Sequence, residues 1–245
     1  MIYITGDCHG EYTRLNNTNF PVQENMTKDD FVIVLGDFGF WDNSIDQQWW
    51  RAWLNSKNFT TLFIDGNHEN YDLLSTYPVE EWNGGKVQKI LPTVIHLMRG
   101  QVYNLYGYKF FTFGGAKSHD ADVILQAGMP RFRKMKQSLL DEGTSFRVNH
   151  QSWWKEEMPN AAEYAEGLKN LKAADNKVDY ILTHCAPSSV QMMMNRNFEI
   201  DELTKYLENI HQTVDYKKWF FGHYHTERDF FGKDECLYFK IVQIA

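Results

Sequence analysis

The hydrophobic positions of this chain come in short unbroken runs. MIYIT (1–5), FVIVL (31–35) and TTLFI (60–64) are rich in β-branched and aromatic residues, and each ends at a Gly-Asp or Asp-Gly pair. Continuous runs of this length suit strands covered on both faces. DYILTHC (179–185) and KKWFFGHYH (217–225) read as two more buried strands with polar ends. Between the second and third runs, Ile45, Trp49 and Trp53 recur at i, i+4 and i+8. That spacing predicts an amphipathic helix with this stripe as its apolar face, capped by Ser44 and with Asp46 in its first turn. Residues 199–212 predict a second helix with Ile200, Leu203, Leu207 and Ile210 on one face. TVIHL (93–97), QVYNLY (101–106) and YKFFTFGG (108–115) follow one another closely, the pattern of antiparallel or edge structure. The tail reads as a hairpin with Gly232 in its turn.

One segment breaks the rhythm. From 117 to 160 the strand signals vanish, and RFRKMK (131–136) places a basic cluster in a chain of net charge −7. This is read as a long insertion and a candidate lid, the alternative being a solvated helix face with a few charges. The rest lacks repeats and low-complexity linkers, so a single α/β domain over 1–245 with an insertion at about 117–160 is the economical reading. The 245 residues, 43% hydrophobic and 16% aromatic, suffice for a substantial core. The acidic balance disfavours a general nucleic-acid binder. Three cysteines without a C-x-x-C pair fit a reducing compartment, and no stretch is long and apolar enough to span a membrane. A cytoplasmic protein is expected.

The chemistry collects where the strands end. MIYIT leads into Gly6-Asp7-Cys8-His9-Gly10, FVIVL into Gly36-Asp37, and TTLFID into Gly66-Asn67-His68-Glu69. YILT leads into His184, and KWFF into Gly222-His223-Tyr224-His225. In an open α/β sheet, ligands bind beyond the carboxyl ends of the strands. Alternate side chains of an extended chain point the same way, so Asp7 with His9, and His223 with His225, can share one metal or reach two adjacent ones. Seven N and O donors exceed what one ion usually takes and suit two cations bridged by a carboxylate. Mixed imidazole, carboxylate and amide donors favour Mn, Fe, Zn, Ni or Co over Ca or Mg. A competing reading pairs Cys8 with Arg14 in the Cys-x5-Arg spacing of cysteine phosphatases. It is set aside because the charge of Asp7 disfavours the thiolate that such a loop needs.

These blocks, in this order from Asp7 to His225, resemble the calcineurin-like metallophosphoesterases. The resemblance implies a four-layer α/β/β/α sandwich of two mixed β-sheets flanked by helices. It implies two divalent or trivalent ions, with Asp7, His9 and His225 on one, Asn67, His184 and His223 on the other, and Asp37 bridging. His68, beside Asn67, takes the role of leaving-group acid or transition-state stabiliser. GDCHGEY and GNHE are similar to the serine/threonine phosphatase branch, but Gly36-Asp37-Phe38-Gly39-Phe40-Trp41 lacks that branch's Asp-Arg-Gly. The usual phosphate-gripping guanidinium is therefore missing, and Arg147, Arg133 or Arg131 of the insertion is a substitute. SHD (118–120) and SWWKEEMP (152–159) resemble a bacterial and phage subgroup. Trp153 and Trp154 either stack on a base or, the preferred reading, pack a core.

The expected activity is hydrolysis of a phosphomonoester or phosphodiester by a hydroxide bridging two metals, which lower the pKa of bound water towards about 7. The substrate would be a phosphorylated small molecule, a nucleotide or a phosphoprotein. The alternative is a nuclease or cyclic-nucleotide phosphodiesterase with RFRKMK tracking a backbone, a reading that the acidic charge does not favour. A non-catalytic binding module is expected to have lost ligands, and none of the seven is missing.

Overall fold

The unbroken apolar runs are strands, and the turns between them carry the polar blocks. In the computed structural model, which describes residues 1–244, the chain begins β1 (Ile2–Thr5), β2 (Phe31–Leu35), α1 (Ile45–Asn55), β3 (Thr60–Ile64) and α2 (Tyr71–Leu74). It continues through β4 (Val79–Trp82), β5 (Gly85–Leu91), β6 (Val94–Leu97), β7 (Gln101–Leu105) and β8 (Tyr108–Phe113). Then come β9 (Val123–Gln126), α3 (Phe132–Glu142), β10 (Phe146–Asn149) and α4 (Ala161–Ala173). The last third holds β11 (Tyr180–Thr183), α5 (Ser188–Met194), α6 (Glu202–Thr213), β12 (Lys218–Phe221), β13 (Arg228–Phe230), β14 (Asp234–Cys236) and β15 (Ile241–Gln243).

Two mixed sheets result. The first has the order β15-β1-β2-β3-β6-β5-β4, with β1, β2, β3 and β6 parallel. The second has the order β13-β14-β12-β11-β8-β7, with β14, β12, β11 and β8 parallel and the two edges antiparallel. Strand periodicity sorts the side chains. Ile2, Ile4, Ile33, Leu35, Leu62 and Ile64 face the second sheet and meet Phe110, Leu182 and Phe220 there. Their alternates Tyr3, Val32, Val34 and Phe63 face outward onto Phe38, Phe59 and Leu54 of α1. On the far side, Phe111, Phe113, Ile181, Trp219 and Phe221 meet Leu171 of α4, Val190 of α5, and Leu203, Leu207 and Ile210 of α6. The architecture is helices, sheet, sheet, helices, as the resemblance implied. No helix among the described residues is long and apolar enough to cross a membrane.

Several local expectations are corrected. Ser44 caps α1 as expected, its hydroxyl accepting from the Gln47 amide. The buried face, however, is Gln47, Arg51 and Leu54, while Ile45 and Trp49 are 85% and 56% exposed. The cause is Arg51, whose guanidinium donates to the Asp42 carbonyl and the Asn43 side chain and lies over the Phe40 ring. It turns the helix to brace the loop after β2. α6 starts at Glu202 because Asp201 accepts from the Thr204 amide in a capping box, which leaves Ile200 outside the helix and partly exposed. β6 is antiparallel to β5 but parallel to β3 in the first sheet, so of the three closely spaced runs only β7 and β8 pair with each other, and the chain changes sheets between β6 and β7. Residues 117–160 hold α3 but also β9 and β10, paired parallel to each other and apart from both main sheets.

Candidate metal centre and active site

Five parallel strands deliver the polar blocks. Asp7 and His9 follow β1, Asp37 follows β2, and Asn67 and His68 follow β3, all from the first sheet. His184 follows β11, and His223 and His225 follow β12, from the second. The turns are so tight that His9, Asp37, His223 and His225 take left-handed backbone, with φ of 48°, 42°, 68° and 47°. Away from glycine this conformation is uncommon, costs about 1–3 kcal/mol per residue and concentrates at functional sites. Close approach explains two glycines. A Cβ at Gly66 would lie 2.2 Å from Asp37 Oδ1, and one at Gly222 would lie 2.2 Å from Asp7 Oδ1.

The side chains meet in two overlapping groups. Asp7, His9, Asp37 and His225 form one, and Asp37, His184 and His223 the other, with ligating atoms within 4.8 Å of one another in each. Asp37 belongs to both. Asn67 joins the second group, its Oδ1 3.2 Å from His184 Nε2. His225 Nε2 lies 3.1 Å from Asp7 Oδ2 and 2.9 Å from His9 Nε2. His184 Nε2 lies 3.3 Å from Asp37 Oδ1. Both carboxylates are pinned by backbone amides: His223 N–H donates to Asp7, and His68 N–H donates to Asp37 at 2.9 Å. The seven residues picked out as metal ligands in the sequence therefore lie side by side.

The electrostatics fit cations. Burial opposes charge on Asp37, yet His184, then His68 and His9, hold its carboxyl well below the usual range. Burial likewise opposes charge on His184, but Asp37 and Asp7 raise it to about 10. The two buried carboxylates thus favour positive charge beside them, which the His184 proton or a bound cation can supply. His184 Nδ1 sits 2.8 Å from the Leu35 carbonyl, so Nδ1 donates and Nε2 is aimed at Asp37 and Asn67. His9 is shifted downward by burial, and His223 further downward by burial and the neighbouring His184. Neutral imidazoles of this kind offer lone pairs to a metal. The donor set of two carboxylates, four imidazoles and an amide oxygen, two of its imidazole nitrogens facing each other, fits a pair of metal ions.

His9 and His68 also open on a pocket of about 280 Å³, walled by Trp41, Arg147, Gln151, Ser152 and Trp154. Arg147 is ion-paired with Asp120. Partial burial works against the charge of Asp120, but Arg147, then His68, hold its carboxyl below the usual range. Arg133 lies exposed on α3 and is not among the walls. Trp154 is packed, its indole N–H donating to Asp72 at 2.7 Å, while it also closes this pocket. A larger hollow of about 950 Å³, among Met192, Met193, Arg228 and Phe231, contains none of the candidate ligands.

In the opening stretch, Asp7 and His9 belong to a group of side chains able to hold a metal, and Cys8 does not. Cys8 is buried, and burial pushes its thiol up to about 12. Arg14 lies in the middle of a short 3₁₀ turn, Thr13–Leu15, and donates to the carbonyls of Asp7 and Tyr238, bracing the loop that carries Asp7. Three acids and a histidine near the site were not singled out in the sequence. Glu69 accepts from the amides of Phe38 and Gly66, joining two ligand loops, and burial with the Asp37 charge pushes it up to about 8. Asp120 and His119 come from the insertion, the His119 ring centred 6.0 Å from that of His223. Glu157 is buried against Ser118; burial raises its carboxyl and the Ser118 donors oppose that rise. Glu69 was legible as the fourth residue of Gly-Asn-His-Glu. The others act only through folding of a segment without strand or helix signals of its own.

Comparison with curated proteins finds no match. A family model, calcineurin-like phosphoesterase, matches residues 1–227, which takes in every strand end that carries a candidate ligand. With the donors gathered as that family requires, the chain belongs to the calcineurin-like phosphoesterases.

Proposed function

We propose that the protein hydrolyses a phosphomonoester or phosphodiester of small size at a dinuclear metal centre. The family acts on phosphoesters with divalent metals. The observation that carries the proposal is Asp37, whose carboxylate belongs to both donor groups. In this reading Asp7, His9 and His225 would hold one cation, Asn67, His184 and His223 the other, and Asp37 both. Mn, Fe, Zn, Ni and Co suit this mixture of nitrogen and oxygen donors. Bound there, two cations supply an activated water and neutralise charge on the phosphoryl oxygens.

The remaining chemistry falls to the chain itself. His68, anchored through its backbone N–H on Asp37 and open to the pocket, donates a proton to the leaving oxygen. Arg147, across the same pocket, grips the phosphate with its guanidinium when Asp120 releases it. Arg133 is the weaker candidate for that task, being outside the pocket. A pocket of about 280 Å³ favours a phosphorylated small molecule or nucleotide over a folded phosphoprotein. Trp41 and Trp154 on its walls support the nucleotide phosphodiesterase as second reading. The three buried free cysteines are in keeping with a cytoplasmic setting.

The test compares p-nitrophenyl phosphate with its bis-ester across Mn, Ni, Zn and Mg. Turnover should vanish in chelator-stripped protein and return with one or more of these ions. Asp37→Asn should lose about 10³-fold or more in kcat, since metal-borne charge stabilisation is worth several kcal/mol. Full activity of the stripped protein would refute the proposal.

A further inference from the structure

Asn67 is held from outside the metal centre. Its Oδ1 faces His184, while its Nδ2 lies 3.3 Å from Oγ of Ser118, near the start of the insertion. Ser118 is in turn gripped twice by Glu157, near the insertion's end. The Ser118 N–H donates to Oε1 at 2.9 Å, and its hydroxyl to Oε2 at 2.6 Å. Glu157 is 2% exposed, and its carbonyl accepts from Arg99 Nη2.

The order of donors has a consequence. A hydroxyl has one proton, and a carboxylate only accepts. The 2.6 Å contact has the length of a charge-assisted O–H to carboxylate bond. With its proton committed to Glu157, Ser118 has only lone pairs to offer Asn67. Asn67 must then present its NH₂ outward, which leaves its oxygen inward. The distinction matters because an amide oxygen ligates a cation and an amide NH₂ does not. An isolated Asn has no such preference between its two flips.

We propose that Ser118 and Glu157 are positioning residues that lock the Asn67 amide with its oxygen inward, and so set the affinity of the Asn67–His184–His223 cation site. The proposal rests on the dinuclear reading above. It gives the insertion a second task, since its two ends meet at this relay.

The experiment titrates Mn(II) into the metal-free, full-length protein by calorimetry, alongside melting of the metal-free forms. The parent should bind two ions. Ser118→Ala should weaken one binding step about 10–100-fold, the range for residues that orient a ligand, and leave the other unchanged. Glu157→Gln should do the same without changing shape, because a carboxamide can donate to Ser118 and free its hydroxyl to turn towards Asn67. Ser118→Thr, which keeps the hydroxyl, should restore the parent behaviour. Metal-free melting temperatures should stay together across the series. Two unaltered binding steps in Ser118→Ala and Glu157→Gln would overturn the proposal while leaving the dinuclear reading intact. Equal weakening of both steps with a lowered metal-free melting temperature would overturn it in favour of a general structural role. A parent that binds no Mn(II) would overturn both.

Discussion

His68 and Arg147 reach one pocket from opposite parts of the chain, and they should fail differently when removed. His68→Asn keeps a similar size and removes the proton donor, so kcat should fall about 10²–10⁴-fold on an alkyl phosphate. On p-nitrophenyl phosphate, whose leaving group needs no proton, the loss should be much smaller; equal losses on both would exclude the acid role. Arg147→Ala removes a charged hydrogen bond worth about 1.5–3 kcal/mol, which should appear as about 10–100-fold in kcat/KM for any phosphate substrate. At this scale the candidate ligands were legible, because each stands at the end of a recognisable strand and all but His184 sit in a block opened by glycine. The partners of those ligands were not. Asn67 and Ser118 are far apart in the chain, and no local pattern marks a hydrogen bond between them.

Among the elements, α1 shows how periodicity misleads. Its Ile45, Trp49, Trp53 stripe has helical spacing, but Arg51 on another face found better partners in the Asp42–Asn43 loop and turned most of the stripe outward. β9 and β10 were missed for a different reason: each is four residues long, and neither is fully buried. The insertion that contains them is fastened to α2 by Asp72, which takes bonds from His150 Nδ1 at 2.8 Å and from Trp154 Nε1 at 2.7 Å. Slight burial opposes the charge of Asp72, but Trp154 and His150 hold its carboxyl below the usual value. A depressed carboxyl contributes its stability above the unfolded pKa of about 3.9 and loses it as pH falls through the folded value. Limited proteolysis within the insertion should therefore quicken as pH drops below about 4. Asp72→Asn should show the fast pattern already at neutral pH, with little change in global stability because the Asp72 and His150 side chains are about half exposed. Cleavage that ignores both changes would show that the fastening lies elsewhere.

At the scale of the whole molecule, the sandwich could be read from runs buried on both faces, whereas the split of those runs between two sheets could not. Nothing in FVIVL or YILT says which sheet it joins. Leu182 lies fully buried between the sheets, among Leu35, Leu62 and their neighbours. Leu182→Ala should cost about 2–5 kcal/mol, read as a lower denaturation midpoint with unchanged slope. The candidate ligands are divided in the same way, carboxylates and amide on one sheet and three of four imidazoles on the other. A bound ion is then a rivet through both leaves of the sandwich, and each leaf feels the other through it. Whatever loosens the seam must slacken the grip on metal, and whatever supplies metal must tighten the seam, by RT ln(1 + [L]/Kd). Added Mn(II) should thus raise the melting temperature of Leu182→Ala, and the ion should dissociate as the two leaves come apart.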